Sequence, residues 1–393
     1  MAQITACPAC GAGDLDVFYE QDGIPVNSML LLDDIVEAQN FPTGTMRLAW
    51  CSSCGFVCNA AYDLGLSEYS GRYEASQAYS AKFQEFAVGL ATRWIDKHGI
   101  RNKTVLEIGC DKGDFLALMC DIGDNHGIGV DPAATARPPE SAADKMELIP
   151  DFYTEKYAHL KADVVLCRHT LEHIAPVAEF MTTVRKAIGD NTDALVLFEL
   201  PDVLRVLDDF AFWDIYYEHC SYFTLGSLSR LFRRTGFEVL HLESDFDGQY
   251  LMIEARPSTI PAAGEPLELE NDLEAIRAAV ERYRKEFGDQ VAEWQRGIRA
   301  DHEAGRTTVI WGGGSKGVAY LTTLGVADIV RYAVDINPFK QNKYLAGSGV
   351  KVIGPEALLD IKPDVVIAMN PIYRDEIQAK LDELGIRAEL RTV

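Results

Sequence analysis

Between Lys103 and Met119 the chain reads KTVLEIGCDKGDFLALM: an unbroken apolar run, a turn carrying glycines, then apolar positions spaced by three and four. A buried strand feeding a one-sided helix through a glycine turn is the first β–loop–α unit of a doubly wound sheet. HGIGVDP (126–132) predicts a second strand ending in Asp131, and ADVVLCRHTLEHI (162–174) and DALVLFELPD (193–202) predict two more. RPSTIPAAGEP (256–266) has linker composition. Beyond it Leu269, Leu273, Ile276, Val280, Tyr283, Phe287, Val291, Trp294 and Ile298 step by three or four, which predicts one long helix with a single apolar stripe. TTVIWGGGSKGVAYL (307–321) then opens a second β–loop–α unit, and KPDVVIAMNP (362–371) supplies another buried strand. The expected class is α/β, with two separate sheets.

Length agrees with that division, since 393 residues exceed one ordinary core. The expected units are 1–65, 66–258 and 259–393, as a monomer or homodimer. No apolar run approaches the roughly 20 residues that span a bilayer. MAQITACPAC lacks a basic n-region and a long apolar h-region, so a cytoplasmic setting is expected. A net charge of −23 opposes binding to nucleic acid or to anionic membranes. An anionic ligand must then be held by local amides and a few cations. Nine cysteines are an odd number and disfavour a disulfide scaffold. Four of them form two CxxC pairs, Cys7/Cys10 and Cys51/Cys54, each followed by a glycine. Four thiolates make a closed tetrahedral shell suited to a structural Zn²⁺, so the first unit is expected to be a small zinc-binding domain. Reduced loop cysteines, or one redox CxxC, are the alternatives.

The two glycine turns differ in kind. Glu107-x-Gly109-x-x-x-Gly113 puts an acid at the strand end, where it complements a cationic ligand better than a phosphate. With Asp131 placed for ribose hydroxyls, the stretch resembles motif I of the S-adenosylmethionine (SAM)-dependent methyltransferases. That resemblance implies a class I Rossmann-like central domain, with Glu107 and Asp111 near the sulfonium and amino group. Phe115, Arg168 and His169 join Gly109, Gly113 and Asp131 as donor-site candidates. HTLEHI (169–174) resembles the loop that passes beside the methyl donor in the same enzymes, which makes His173 a candidate. By contrast, Gly312-x-Gly314-x-x-Gly317 with Asp335 fits a dinucleotide fingerprint. Alone, this half reads as an NAD-dependent oxidoreductase.

YYEHCSYFT (216–224) gathers three tyrosines, a glutamate and a histidine. Burying His and Glu between tyrosines is costly without a task. The order of paired CxxC motifs, EIGCDKGDFL, YYEHCSYFTLGSL and WGGGSKG…VDINPFKQNKYLAG closely resembles, over nearly the full length, the deoxysugar C-methyltransferases. These methylate C-3 of nucleotide-linked 4-keto-deoxysugars. The resemblance implies a C-terminal Rossmann-like domain that helps hold a nucleotide-sugar without nicotinamide, with Gly314, Lys316, Asn370 and Tyr373 as candidate contacts. It also implies His219 as the base that removes the C-3 proton, with Glu218 or a neighbouring carboxylate behind it. Tyr216, Tyr222, Tyr73 and His173 are the expected donors to the enolate oxygen. Tyr217 stands where the family usually has a second histidine, and AMNPIY (368–373) replaces its Pro-Trp-Asn pattern. Another small ketone or a heteroatom nucleophile is the alternative acceptor.

Overall fold

A computed structural model describes residues 4–66, 72–134, 139, 142–260 and 263–393. Ser70 and Gly71, just before Tyr73, and residues 261–262 of the expected linker lie outside them.

The N-terminal part forms a sheet from β1 (Leu15–Pro25), β2 (Thr43–Cys51) and β3 (Val57–Asn59). Its fourth strand is a two-residue piece from far along the chain, Ser221–Tyr222, paired antiparallel to β3. The central sheet begins with β4 (Thr104–Ile108), β5 (His126–Val130), β6 (Met146–Ile149), β7 (Val164–Arg168) and β8 (Leu195–Pro201). Numbering Ser221–Tyr222 as β9, it is completed by β10 (Phe237–Asp245) and β11 (Tyr250–Pro257). The order is β10-β11-β8-β7-β4-β5-β6, parallel except for β11. Strand direction of travel reverses at β4, so the crevice at its carboxyl end, beside β5 and β7, is where a ligand belongs. The five remaining strands, β12 (Thr308–Trp311), β13 (Tyr332–Val334), β14 (Lys351–Ile353), β15 (Val365–Ala368) and β16 (Glu389–Thr392), are all parallel in the order β14-β13-β12-β15-β16. The interior strands β4, β7, β8, β12 and β15 are short, largely apolar runs because both faces are covered.

The cores do not respect the expected units. Phe18, Tyr19 and Trp50 of the N-terminal sheet share one buried cluster with Phe212, Tyr217 and Tyr222, with Tyr283 of the long helix, and with Ile310 and Ile367 of the last sheet. The cysteine knuckle instead packs into the cluster under the central sheet, through Phe56 against Phe223 at 5.0 Å. The long helix runs Leu273–Glu303 and buries Ile276, Ala279, Val280, Tyr283 and Ile298. Leu269 falls outside it, in a short 3₁₀ turn at Glu268–Glu270, and is exposed. No helix among the described residues is long and apolar enough to cross a membrane.

Candidate active site

The turn after β4 is shaped by backbone that only glycine tolerates without strain. Gly109 sits at φ +75°, and a Cβ there would lie 1.9 Å from Thr170 Oγ1; Gly113, at φ +85°, caps the helix Asp114–Gly123. Around this cradle two buried carboxylate oxygens, Glu107 Oε2 and Asp111 Oδ1, have no hydrogen-bond partner among the described residues. Burial lifts Glu107 to about 8 and Asp111 to about 7. Unpaired acids in a dry cradle fit a ligand bearing a sulfonium and an ammonium, which would supply the missing positive charge. Asp131, at the end of β5, accepts from Asp111 N at 3.0 Å and Ala133 N at 2.6 Å, so its carboxylate is aimed and held. Asp131→Ala should weaken SAM binding by about 1.5–3 kcal/mol, the cost of hydrogen bonds to a charged group. Unchanged affinity by calorimetry would place the ribose elsewhere.

The remaining donor-side candidates brace the cradle. The Arg168 guanidinium lies 3.8 Å over the Phe115 ring and pairs with the fully buried Glu199 at 2.5 Å. His169, at φ 47°, sets Nε2 2.9 Å from Glu199 Oε1, and the Glu199 and Glu172 carboxylates raise it to about 9 against the opposing effect of burial. Phe115 and Arg168 therefore face each other, and Phe115 belongs to the core.

The Tyr216–Cys220 stretch is a turn that leads into β9. His219 is buried, and its Nε2 lies 2.7 Å from the Tyr216 hydroxyl. Its ring stands 4.9 Å from the His173 ring and 6.1 Å from that of Tyr222. Burial, then the neighbouring His173, hold the His219 imidazole well below its ordinary pKa. It is therefore unprotonated at neutral pH. Tyr73 bridges to Leu30 near this group, with Glu218, Asp111 and Asp131 among the charges that raise its phenol. The Tyr222 hydroxyl is buried without a hydrogen-bond partner among the described residues.

Glu218 does not stand behind His219. Its Oε1 accepts from Ser28 N at 2.5 Å and Ser28 Oγ at 2.8 Å. Glu218 anchors the loop after β1 instead. The carboxylate that faces His219 is Glu172, which the sequence did not single out. Glu172 Oε1 lies 3.7 Å from His169 Nδ1 and 4.0 Å from His219 Nε2, and its backbone carbonyl accepts from Cys220 N at 3.0 Å. The only local signal was its place in HTLEHI. Tyr217, where a histidine was noted as usual, is core: its ring packs under Gly44 and its hydroxyl accepts from Asp63 N at 2.9 Å.

Across the crevice, the last sheet presents its glycine turn. Gly317 packs helix against strand so closely that a Cβ would meet Gly312 O at 2.4 Å. The Asp335 carboxylate already accepts from Gly313 N and Asn337 N, at 2.9 and 2.8 Å. The Met29 sulfur accepts from Ser315 N at 3.3 Å, over the helix N-terminus where a pyrophosphate would rest. Lys340, buried, brings Nζ to within 3.2 Å of where a Gly314 side chain would start. Lys316 is paired to Asp214, and Asn370 exchanges hydrogen bonds with Gln249 at 2.8 and 3.2 Å. Both are engaged with the body of the protein, because the two sheets meet there. The Tyr373 hydroxyl donates to Gln77 at 3.2 Å. Glu74, also absent from the sequence reading, joins the two sides: one oxygen takes Asn337 Nδ2 at 2.9 Å and the other pairs with Lys112 in the donor turn.

Farther off, the sulfurs of Cys7, Cys10, Cys51 and Cys54 lie within 4.8 Å of one another, with Cys7–Cys54 at 3.7 Å and Cys10–Cys51 at 3.6 Å. A tetrahedral Zn²⁺ with Zn–S near 2.3 Å puts its sulfurs about 3.8 Å apart, so the residues fit the ion. Without a cation the four cannot ionise together. Hydrogen bonds from Cys51 and then Cys54 drive Cys7 down to about 4, while Cys54 is pushed up.

The chain matches the model of a methyltransferase domain over residues 77–242 and that of a C-methyltransferase C-terminal domain over 259–388. It is 30% identical to the C-methyltransferase NovU of Streptomyces niveus, over 95% of this chain and 91% of that protein. Among solved structures it is similar to the 1,6-didemethyltoxoflavin-N1-methyltransferase of Burkholderia thailandensis (17% identity, 46% of this chain and 82% of that one, TM-score 0.35). It is also similar to the magnesium protoporphyrin IX methyltransferase of Synechocystis (14%, 47% and 89%, TM-score 0.36). Near full-length identity to NovU, together with both family models, identifies this chain as a member of the SAM-dependent C-methyltransferase family.

Proposed function

We propose that this enzyme methylates C-3 of a nucleotide-linked 4-keto-deoxysugar through an enolate, with His219 as the base. The observation that carries the reading is a buried, unprotonated imidazole with a tyrosine hydroxyl on it, a second imidazole 4.9 Å away and a buried carboxylate at 4.0 Å. A C–H beside a ketone is acidified yet still needs a positioned base. His219 takes the proton, and Glu172 stabilises the imidazolium that results. This arrangement answers the low basicity that burial imposes, because the carboxylate acts only once charge appears. Tyr216, His173, Tyr73 and the unpartnered Tyr222 hydroxyl are the groups able to donate to the enolate oxygen. SAM supplies the electrophilic methyl; Gly109 and Gly113 give it room, while Glu107, Asp111 and Asp131 hold its charged and ribose groups. Fixing both reactants removes much of the entropic barrier. NovU, a C-methyltransferase by name, supports carbon as the nucleophile.

On this reading the second sheet is a Rossmann-like domain for the nucleotide, and its fingerprint takes no nicotinamide. Met29 covers the Ser315 amide at the helix N-terminus, so the phosphates of the nucleotide-sugar are held by other groups of the crevice. Incubation with SAM and a nucleotide-linked 4-keto-deoxysugar should give one new methyl on carbon, located at C-3 by NMR. Methyl found on oxygen, or no product from any such sugar, would refute the acceptor.

The raised carboxylates give a signed expectation for pH. In the free protein Glu107 titrates at about 8 and Asp111 at about 7. A cationic donor favours their ionised forms and lowers both values. SAM binding at pH 7 should therefore release protons, and affinity should climb with pH until about 8 and then level. Calorimetry at pH 7 in buffers of different ionisation heat measures the released protons; net uptake would contradict the assignment.

A further inference from the structure

We propose that the Glu172–His173–His219 cluster is a second metal site, selective for a borderline divalent transition ion of the Co²⁺, Ni²⁺ or Zn²⁺ kind, and that such an ion shuts the enzyme off. Three observations meet there. One ligand atom from each residue lies within 4.8 Å of the other two. The Glu172 carboxylate is only 2% exposed, and among the described residues neither oxygen has a hydrogen-bond partner; its Oε1 has the imidazoles of His169 at 3.7 Å and His219 at 4.0 Å nearby. The turn carrying Glu172 and His173 is fixed to the segment carrying His219 by Cys220 N on Glu172 O at 3.0 Å and Ser221 Oγ on Ile174 O at 2.6 Å. The three donors therefore come from two braced strands of chain.

Two imidazoles and a carboxylate suit these ions, whereas Mg²⁺ and Ca²⁺ prefer all-oxygen shells. With metal–ligand bonds near 2.1 Å, the ligand atoms must close by about an ångström, within reach of side-chain rotation. A buried carboxylate whose nearest imidazole stands 3.7 Å away, beyond hydrogen-bond reach, is incompletely compensated, and a directly bound cation is the strongest partner it can gain. The site is distinct from the four cysteines in donor type: nitrogen and oxygen, no sulfur. An ion there takes the His219 Nε2 lone pair that now faces the Tyr216 hydroxyl, which is the lone pair needed to accept the acceptor's proton. Binding rests on the cluster alone; inhibition also rests on His219 as base, and the two parts are measured separately.

The test titrates Co²⁺ into the full-length protein with its cysteine site already zinc-filled. The expected result is one further equivalent bound, with an absorption spectrum lacking thiolate-to-cobalt charge transfer, and its loss in both Glu172→Gln and His173→Asn. Turnover of the wild type should fall by half at the Co²⁺ concentration that half-fills the site. Absence of a second equivalent, a thiolate band accompanying it, or undiminished binding in both variants overturns the site. The wild-type spectrum keeps the test valid if either variant misfolds. Full turnover with the site saturated overturns the inhibition and counts against His219 as base, while leaving the metal site standing.

Discussion

His219→Ala or His219→Asn is expected to bind SAM and the acceptor as the wild type does, yet to turn over roughly 10²–10⁴-fold more slowly, the contribution of a positioned general base. The imidazole is buried and unprotonated, with the Tyr216 hydroxyl 2.7 Å and the Glu172 carboxylate 4.0 Å from its Nε2. Glu172→Gln should share part of the defect, because it removes the charge that stabilises the imidazolium without disturbing the backbone bond to Cys220. Tyr216→Phe and Tyr222→Phe should each cost less, since several donors can share the enolate charge. Single-turnover kinetics with calorimetric checks of both ligands separate these effects. Weak binding in place of slow turnover would recast His219 as a substrate anchor.

Loss of the zinc that the four cysteines would hold is the second large expected effect. Cys7→Ser should abolish the bound ion and unfold the N-terminal knuckle, because structural zinc in peptides contributes an apparent 10–16 kcal/mol, comparable with the stability of a whole domain. The consequence reaches the catalytic segment. The Cys51–Cys54 knuckle leads directly into β3, which pairs Val57 with Tyr222 and Cys58 with Ser221, and Asn59 N donates to Cys220 O at 2.9 Å. Arg230 Nε also holds Cys54 O at 3.0 Å. A closed four-thiolate shell offers no open position for chemistry, so its influence on turnover runs through this pairing. Elemental analysis of protein prepared without chelator should find zinc at one per chain, and Cys7→Ser should melt several degrees lower. Metal-free protein with an unchanged melting temperature would contradict the assignment.

Much of this arrangement was legible in the chain. Parallel strands buried on both faces write continuous apolar runs, so β4, β5, β7, β8, β12 and β15 could be placed from the sequence. The glycines whose Cβ would collide announced both turns. The partners could not be read. Glu218 beside His219 in sequence is not beside it in space, and Ser28, 190 residues away, holds it instead. The β3–β9 pairing joins residues more than 160 positions apart and leaves no periodicity to find. Met29 over Ser315 is likewise a long-range contact, and without it the C-terminal fingerprint reads as a nicotinamide site. Glu172 was hidden because a carboxylate in a helical turn looks solvated until its burial is known.

The central claim is that His219 removes a proton from the acceptor's C-3, and hydrogen exchange measures that step without methyl transfer. The enzyme and a nucleotide-linked 4-keto-deoxysugar are held in deuterated water with no methyl donor, and deuterium at C-3 is followed by NMR. The account predicts exchange by the wild type and its loss in His219→Ala. Exchange at the wild-type rate in His219→Ala would contradict it and move the base to His173 or a tyrosinate.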